Sequence, residues 1–150
     1  MFEQKQREGN IPTLDGCATF YKLNQFDLIT LSSINLRNKD NISLHVILSI
    51  KKTSECLCIT NTHIHANPKN SDVKLSHVYY LLKDFDKFFH DVALVLCGDF
   101  NSFSGTTPHS LLTKGYVDPL HEEILDYDPS IKLMFCHRIP LTSAYFNYSQ

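Results

Sequence analysis

The sequence predicts an α/β fold, and three observations carry that prediction. Runs rich in β-branched and apolar residues fill Gly16 to His63, an apolar stripe at alternating three- and four-residue steps occupies Ser71 to His90, and a second strand-like run follows at Val92 to Asn101. Strand, helix and strand in that order make one βαβ-like unit.

The elements follow in chain order. Gly16 to Lys22 (GCATFYK) and Phe26 to Leu36 read as strands, and Asn38 to Asn41 (NKDN) supplies turn residues. Ser43 to Ile50 (SLHVILSI) is the next strand. The polar link Lys51 to Glu55 (KKTSE) leads straight into Cys56 to His63 (CLCITNTH), so these two runs predict an antiparallel hairpin with an exposed or sandwiched face. Leu75, Val78, Leu82, Phe85 and Phe89 form the buried stripe of an amphipathic helix, with Ser71 as its cap and Lys74 where a capping box prefers Glu. A short second helix is expected from Pro108 to Lys114, stopped by Gly115. No repeat, low-complexity tract or linker interrupts the chain.

Val92 to Asn101 (VALVLCGDFN) is the most informative stretch. A continuous apolar run bounded by glycine predicts a strand covered on both faces, and the end of such a strand is where open α/β sheets place their chemistry. Asp99 and Asn101 then stand at the rim of a site. If Cys56 to His63 is the neighbouring strand, its polar end of Asn61, Thr62 and His63 brings an imidazole to the same edge.

Composition limits the function classes. The chain has 150 residues, 43% hydrophobic and 20% charged, which suits one globular domain with a real core. A net charge of -2 argues against coating nucleic acid through many phosphate contacts and leaves open a small pocket that grips one phosphate. Five cysteines, an odd number, after the polar opening MFEQKQREGN predict reduced thiols and an intracellular location. No segment approaches the ~18 apolar residues of a membrane span.

Each motif carries two readings. Asp-x-Asn after a strand serves as an Asx-type turn that lets the chain leave the sheet. The same pair serves chemistry when the carboxylate binds a divalent cation or orients a water and the carboxamide bonds a phosphate oxygen or a base edge. His63 is a phosphate donor on one reading and a satisfied core histidine on the other. A zinc site from Cys56, Cys58, His63 and His65 fails on strand parity, because the odd positions share one face and the cysteines take the other. Cys17, Cys56, Cys58 and Cys97 are therefore expected as small buried hydrophobes. Tyr79, Tyr80, Phe88 and Phe89 fit core packing better than base stacking. His121, Glu122, Glu123, Asp126 and Asp128 fit a solvated acidic face. The chain holds no Gly-rich phosphate loop, Gly-x-Ser-x-Gly elbow or His-Glu-x-x-His helix, which removes kinase, serine hydrolase and zincin chemistry.

Taken together, GCATFYKLNQF (16–26), KDNISLHVILSI (39–50), CITNTHIHANPKNSDVKL (58–75), LCGDFNS (96–102) and LTSAY (141–145) resemble, in order, the endonuclease/exonuclease/phosphatase superfamily. The likeness is nearest to the carbon catabolite repressor type poly(A) deadenylases, with nocturnin, angel and the 2',5'-phosphodiesterases as cousins. It implies part of a four-layer α/β/β/α sandwich and a magnesium-dependent 3'-to-5' exoribonuclease that shortens poly(A) tails. By that resemblance Asp99 is the catalytic and metal-associated aspartate. Asn101 contacts the terminal nucleotide, His63 binds phosphate, and Pro68 stacks on the terminal adenine. The implied partners are poly(A) RNA, or another adenine-containing phosphodiester, and subunits of a deadenylase complex, in the cytoplasm or also the nucleus.

The departures shape the expectation as well. The family's metal-binding glutamate in a Leu-Gln-Glu context and its Ser-Asp-His motif are absent from the 150 residues, and the segment between Leu36 and Lys39 is short. The resemblance therefore implies a single, truncated catalytic domain over 1–150, whose two-metal magnesium site is incomplete. The alternatives are a catalytically incomplete fragment or binding module, and a 2',5'-oligoadenylate or dinucleotide phosphodiesterase.

Overall fold

The computed structural model describes the backbone of residues 2–7, 11–36, 40–88 and 92–145, and the side chains of 16–36, 40–85 and 92–145. Strands β1 (Phe2–Arg7) and β2 (Ile11–Ala18) form an antiparallel ribbon. Strands β3 (Phe26–Asn35), β4 (Ile42–Ile50), β5 (Cys56–His63) and β6 (Ala93–Asp99) form a four-stranded sheet in sequential order. The first two pairings are antiparallel, and β5 with β6 is parallel because helix α1 (Ser71–Phe88) carries the chain across between them.

Alternation along the strands sorts the sheet into two cores. Leu44, Val46 and Leu48 of β4, with Ile59 of β5, turn toward the β1–β2 ribbon and meet Cys17 and Phe26. Residues of opposite parity, among them Ile47, Cys58, Leu94 and Leu96, turn toward α1 and meet Leu75, Val78, Leu82 and Phe85. Each of the fully buried α1 residues Leu75, Val78 and Leu81 contributes roughly 1.5–3 kcal/mol through the water it leaves. Ribbon, sheet and helix are thus three of the four expected layers among the described residues. No described helix is long and apolar enough to cross a membrane.

The second helix, α2 (Thr107–Lys114), ends as expected at Gly115, whose φ of 81° is left-handed and whose N–H reaches the Leu111 carbonyl at 3.2 Å. Its start is held from a distance. Glu123 accepts from the Thr107 amide at 2.8 Å and the Thr107 hydroxyl at 2.7 Å, and the His121 ring bonds the Gly105 carbonyl. Of the acidic face expected in solvent, Glu122, Asp126 and Asp128 are exposed as expected, whereas Glu123 and His121 clasp the α2 start, because an amide left open at a buried helix start needs an acceptor.

Four other expectations change. The second strand spans Ile11–Ala18 and does not run on to Lys22. The α1 cap is Asn70, whose carbonyl takes the Lys74 amide, so Ser71 is already helical. The run VALVLCGDFN is not covered on both faces: among the described residues β6 is an edge strand, with Ala93, Val95 and Cys97 exposed and Val92, Leu94, Leu96 and Phe100 packed inward. Cys17 and Cys58 are buried as expected, whereas Cys56 opens β5 beside an exposed turn and Cys97 lies on the outward face of β6. Tyr79 packs edge-on against Phe135 with centroids 5.5 Å apart, which is core packing. Asn38, Lys39, Phe89 and His90 and the Phe88 side chain lie outside the described residues.

Candidate phosphodiesterase site

Parallel pairing places the carboxyl ends of β5 and β6 side by side, with His63 directly across from Asp99. Gly98 makes this approach possible. Its φ is +130°, and a Cβ built there would sit 1.8 Å from the Thr62 carbonyl oxygen of the neighbouring strand. The His63 Nε2 and Asp99 Oδ2 atoms come within 3.9 Å, with side chains 49% and 64% exposed. Both groups can therefore face each other and a ligand from solvent.

Short bonds fix the backbone around them. The Asn41 carboxamide donates to the His63 carbonyl at 2.7 Å, and the Ile64 amide donates to the Asp99 carbonyl at 3.0 Å. Asp99 Oδ1 accepts the Asn101 amide at 2.8 Å, which is the Asx-type turn expected from the sequence. The two readings coexist: one carboxylate oxygen shapes the turn while the other faces His63. Asn101 takes a left-handed φ of 44°, and its carboxamide nitrogen donates to the Ile64 carbonyl at 3.1 Å. Imidazole, carboxylate and carboxamide thus converge at one sheet edge.

Other polar residues of this edge are engaged elsewhere. Asn61 donates to the Ala18 carbonyl at 2.8 Å and ties the sheet to the ribbon, and the buried Thr62 hydroxyl donates to the Ile42 carbonyl at 2.9 Å. Pro68 lies in an exposed turn between β5 and α1, where the Asn67 carboxamide oxygen accepts the Lys69 amide. Among the described residues no bond ties that turn to Asp99. A small concavity of about 30 Å³ lies beside Tyr79, Lys83 and His137 and includes none of the three convergent residues. Among the described residues the β5–β6 edge is an open rim.

Sequence reasoning treated Lys74 only as an imperfect cap. In the structure its ammonium donates to the Asn101 carbonyl at 2.9 Å, and the residue is 8% exposed. The signal was present, since a cation in a helix's first turn opposes the helix dipole and calls for another reason. A divalent hard cation is commonly held by one or two carboxylates with waters and substrate phosphates. Asp99 offers one such oxygen, and among the described residues no three His, Cys, Asp or Glu side chains converge. The residues present fit one protein ligand to such an ion and not a closed cage.

No protein-family model matches the chain. Carbon catabolite repressor protein 4 homolog 1 of Arabidopsis thaliana is 33% identical, over 100% of this chain and 32% of its own length. The ANGEL2 structure, described as a 2',3'-cyclic phosphatase in complex with adenosine-2',3'-vanadate, superposes at TM-score 0.63 with 33% identity, over 77% of this chain and 36% of that one. An endonuclease/exonuclease/phosphatase family protein of Bacteroides thetaiotaomicron shares the fold at TM-score 0.64 and 15% identity, over 77% of this chain and 46% of that one. The chain belongs to the endonuclease/exonuclease/phosphatase superfamily.

Within the superfamily its sequence relatives include the carbon catabolite repressor and angel proteins, and nocturnin shares the fold. The human nocturnin catalytic domain matches at TM-score 0.68 with 24% identity, over 75% of this chain and 46% of that one. The 3'-5'-exoribonuclease subunit Ccr4 of the CCR4-Not complex of Yarrowia lipolytica is 31% identical over 96% of this chain and 27% of its own length. The chain spans about a third of the length of the curated relatives it matches. The alignment with the Arabidopsis protein runs over 191 residues against 150 here, so that relative carries extra length inside the matched region.

Proposed function

We propose that this chain acts in 3'-to-5' exoribonucleolytic shortening of poly(A), with the β5–β6 edge as the place where the terminal phosphodiester is bound and cut. The observation that carries this reading is the His63–Asp99 pair at the carboxyl ends of two parallel strands, 3.9 Å apart and open to solvent. The name of the Yarrowia relative supports the reaction class, and the adenosine-based ligand of ANGEL2 supports an adenine-containing substrate.

The chemistry assigned to each residue follows from its atoms. The His63 ring donates an N–H to a non-bridging phosphate oxygen and so offsets charge that grows there as water attacks. The Asp99 carboxylate orients that water and takes its proton while the bond from phosphorus to the 3'-oxygen of the preceding nucleotide breaks, and that oxygen leaves and takes a proton from solvent. Asn101, whose carboxamide is oriented by Ile64, bonds the terminal nucleotide without adding charge. Pro68 supplies an apolar surface to the last adenine when the RNA end lies along the β5–α1 turn. When magnesium is bound, Asp99 holds it and it supplies polarisation of the phosphoryl group. Poly(A) RNA is the proposed partner, with deadenylase-complex subunits beside it and a cytoplasmic setting.

A second reading rests on the lack, among the described residues, of three converging His, Cys, Asp or Glu side chains: a module that keeps a phosphate or adenine contact without turnover. The ANGEL2 likeness likewise favours a different phosphoester of the same superfamily as substrate. A magnesium-dependent assay on 5'-labelled oligo(A) separates these readings. Progressive shortening is expected from the chain, falling about a hundredfold or more in Asp99→Ala, the scale of losing a general base. Absence of shortening in both proteins, with oligo(A) still bound, replaces the exonuclease by the binding module.

A further inference from the structure

We infer that Lys74 is a positioning residue of the β5–β6 site, holding Asn101 in its left-handed turn through the 2.9 Å bond from its ammonium to the Asn101 carbonyl. The inference rests on the functional reading above for what the site does, and on geometry alone for how the turn is held.

Three features converge on it. Lysine is among the residues least often buried, yet Lys74 is 8% exposed. It lies in the first turn of α1, where side chains lean toward the helix start and a cation meets the positive end of the dipole, so the helix gains nothing from it. Among the described residues its ammonium meets no carboxylate within ion-pair distance, and its side-chain bond goes to Asn101. The recipient sits where such a bond counts. A φ of 44° is uncommon for residues with a Cβ, asparagine adopts it more readily than most, and bonds to its neighbours fix which conformation it keeps.

Lys74 completes that hold. The Asn101 amide is fixed by Asp99 Oδ1, its carboxamide by the Ile64 carbonyl, and its own carbonyl by Lys74. Without the ammonium the Asn101 carbonyl loses a charge-assisted donor, the turn relaxes toward ordinary φ, and the amide leaves Asp99. The carboxylate then loses the bond that sets its plane opposite His63. Lys74 thus acts through Asn101 on Asp99 and touches no reacting atom.

The test compares Lys74→Met, which keeps the length and removes the donor, with Lys74→Arg, which restores one. Amide hydrogen exchange at Asn101 is read against Val46 in the middle of β4. The expected result is exchange at Asn101 about tenfold or more faster in Lys74→Met, with Val46 unchanged and protection largely recovered in Lys74→Arg. Unchanged exchange at Asn101 overturns the inference, and so does a parallel rise at Asn101 and Val46, which marks general loosening. Binding of oligo(A), measured on the same proteins, should weaken in Lys74→Met and recover in Lys74→Arg. If the parent chain binds no oligo(A), the functional reading falls while the exchange result still decides the role of Lys74.

Discussion

Replacing Gly98 by alanine is expected to destabilise the fold by roughly 3–5 kcal/mol and to dismantle the site. Two costs add. The new Cβ would fall 1.8 Å from the Thr62 carbonyl oxygen, which is backbone and cannot swing aside as a flexible side chain would. The φ of +130° is also one that residues with a Cβ rarely adopt. Relief requires β6 to move away from β5, and that motion separates His63 from Asp99. Urea unfolding measures the first effect, and chemical shifts of the His63 ring measure the second. A variant with parental stability and an undisturbed His63 would show that the close strand approach is not what builds the site.

Acid sensitivity centred on His45 is the second large effect. His45 is 1% exposed, bonds Thr60 through Nδ1 at 2.9 Å, and meets the Phe85 ring edge-on at 5.3 Å. Burial holds its pKa down from 6.5 to about 4, because a charged imidazole there would lose its water. The unfolded chain therefore binds a proton between those two pH values that the folded chain does not. Stability is fully present above the unfolded pKa and falls as the pH drops toward 4, by about 2 kcal/mol at pH 5 and about 3 kcal/mol near pH 4. His45→Gln, which keeps a polar partner for Thr60 and cannot titrate, should lose that much less between pH 7 and pH 5. Equal acid losses in the two proteins would assign the sensitivity to other groups.

How much of this was legible in the sequence depends on the range of the interaction concerned. Local periodicity located β3, β4, β5, α1 and α2 closely, because a strand or an amphipathic helix writes its burial pattern into its own residues. Parity also separated the cysteines from the histidine, since Cys58 faces α1 while His63 stands at the opposite, exposed face. Position within the sheet was not legible. An apolar run such as VALVL looks the same in a central strand and at an edge, and only pairing with distant segments decides which it is. The strand β1 (FEQKQR) has too little apolar character to be read as a strand, and its pairing with β2 supplies what its composition lacks. At the site, His63 and Asp99 were visible because each ends a strand, and Asn101 because it follows two residues on. Lys74 and Glu123 were not, because each acts on a segment more than ten residues away.

The carboxyl ends of β5 and β6 are proposed to receive the end of an adenylate chain. Titration of the isotope-labelled chain with a phosphorothioate oligo(A) in the presence of magnesium tests it most directly, because binding is read residue by residue and independently of turnover. The account predicts that the first and largest shifts appear at the His63 ring, the Ile64 and Asp99 amides and the Asn101 carboxamide, and that Asp99→Ala reduces them. Shifts confined to the Tyr79–His137 concavity or to the outer face of β6, with His63 and Asn101 silent at saturation, would contradict it.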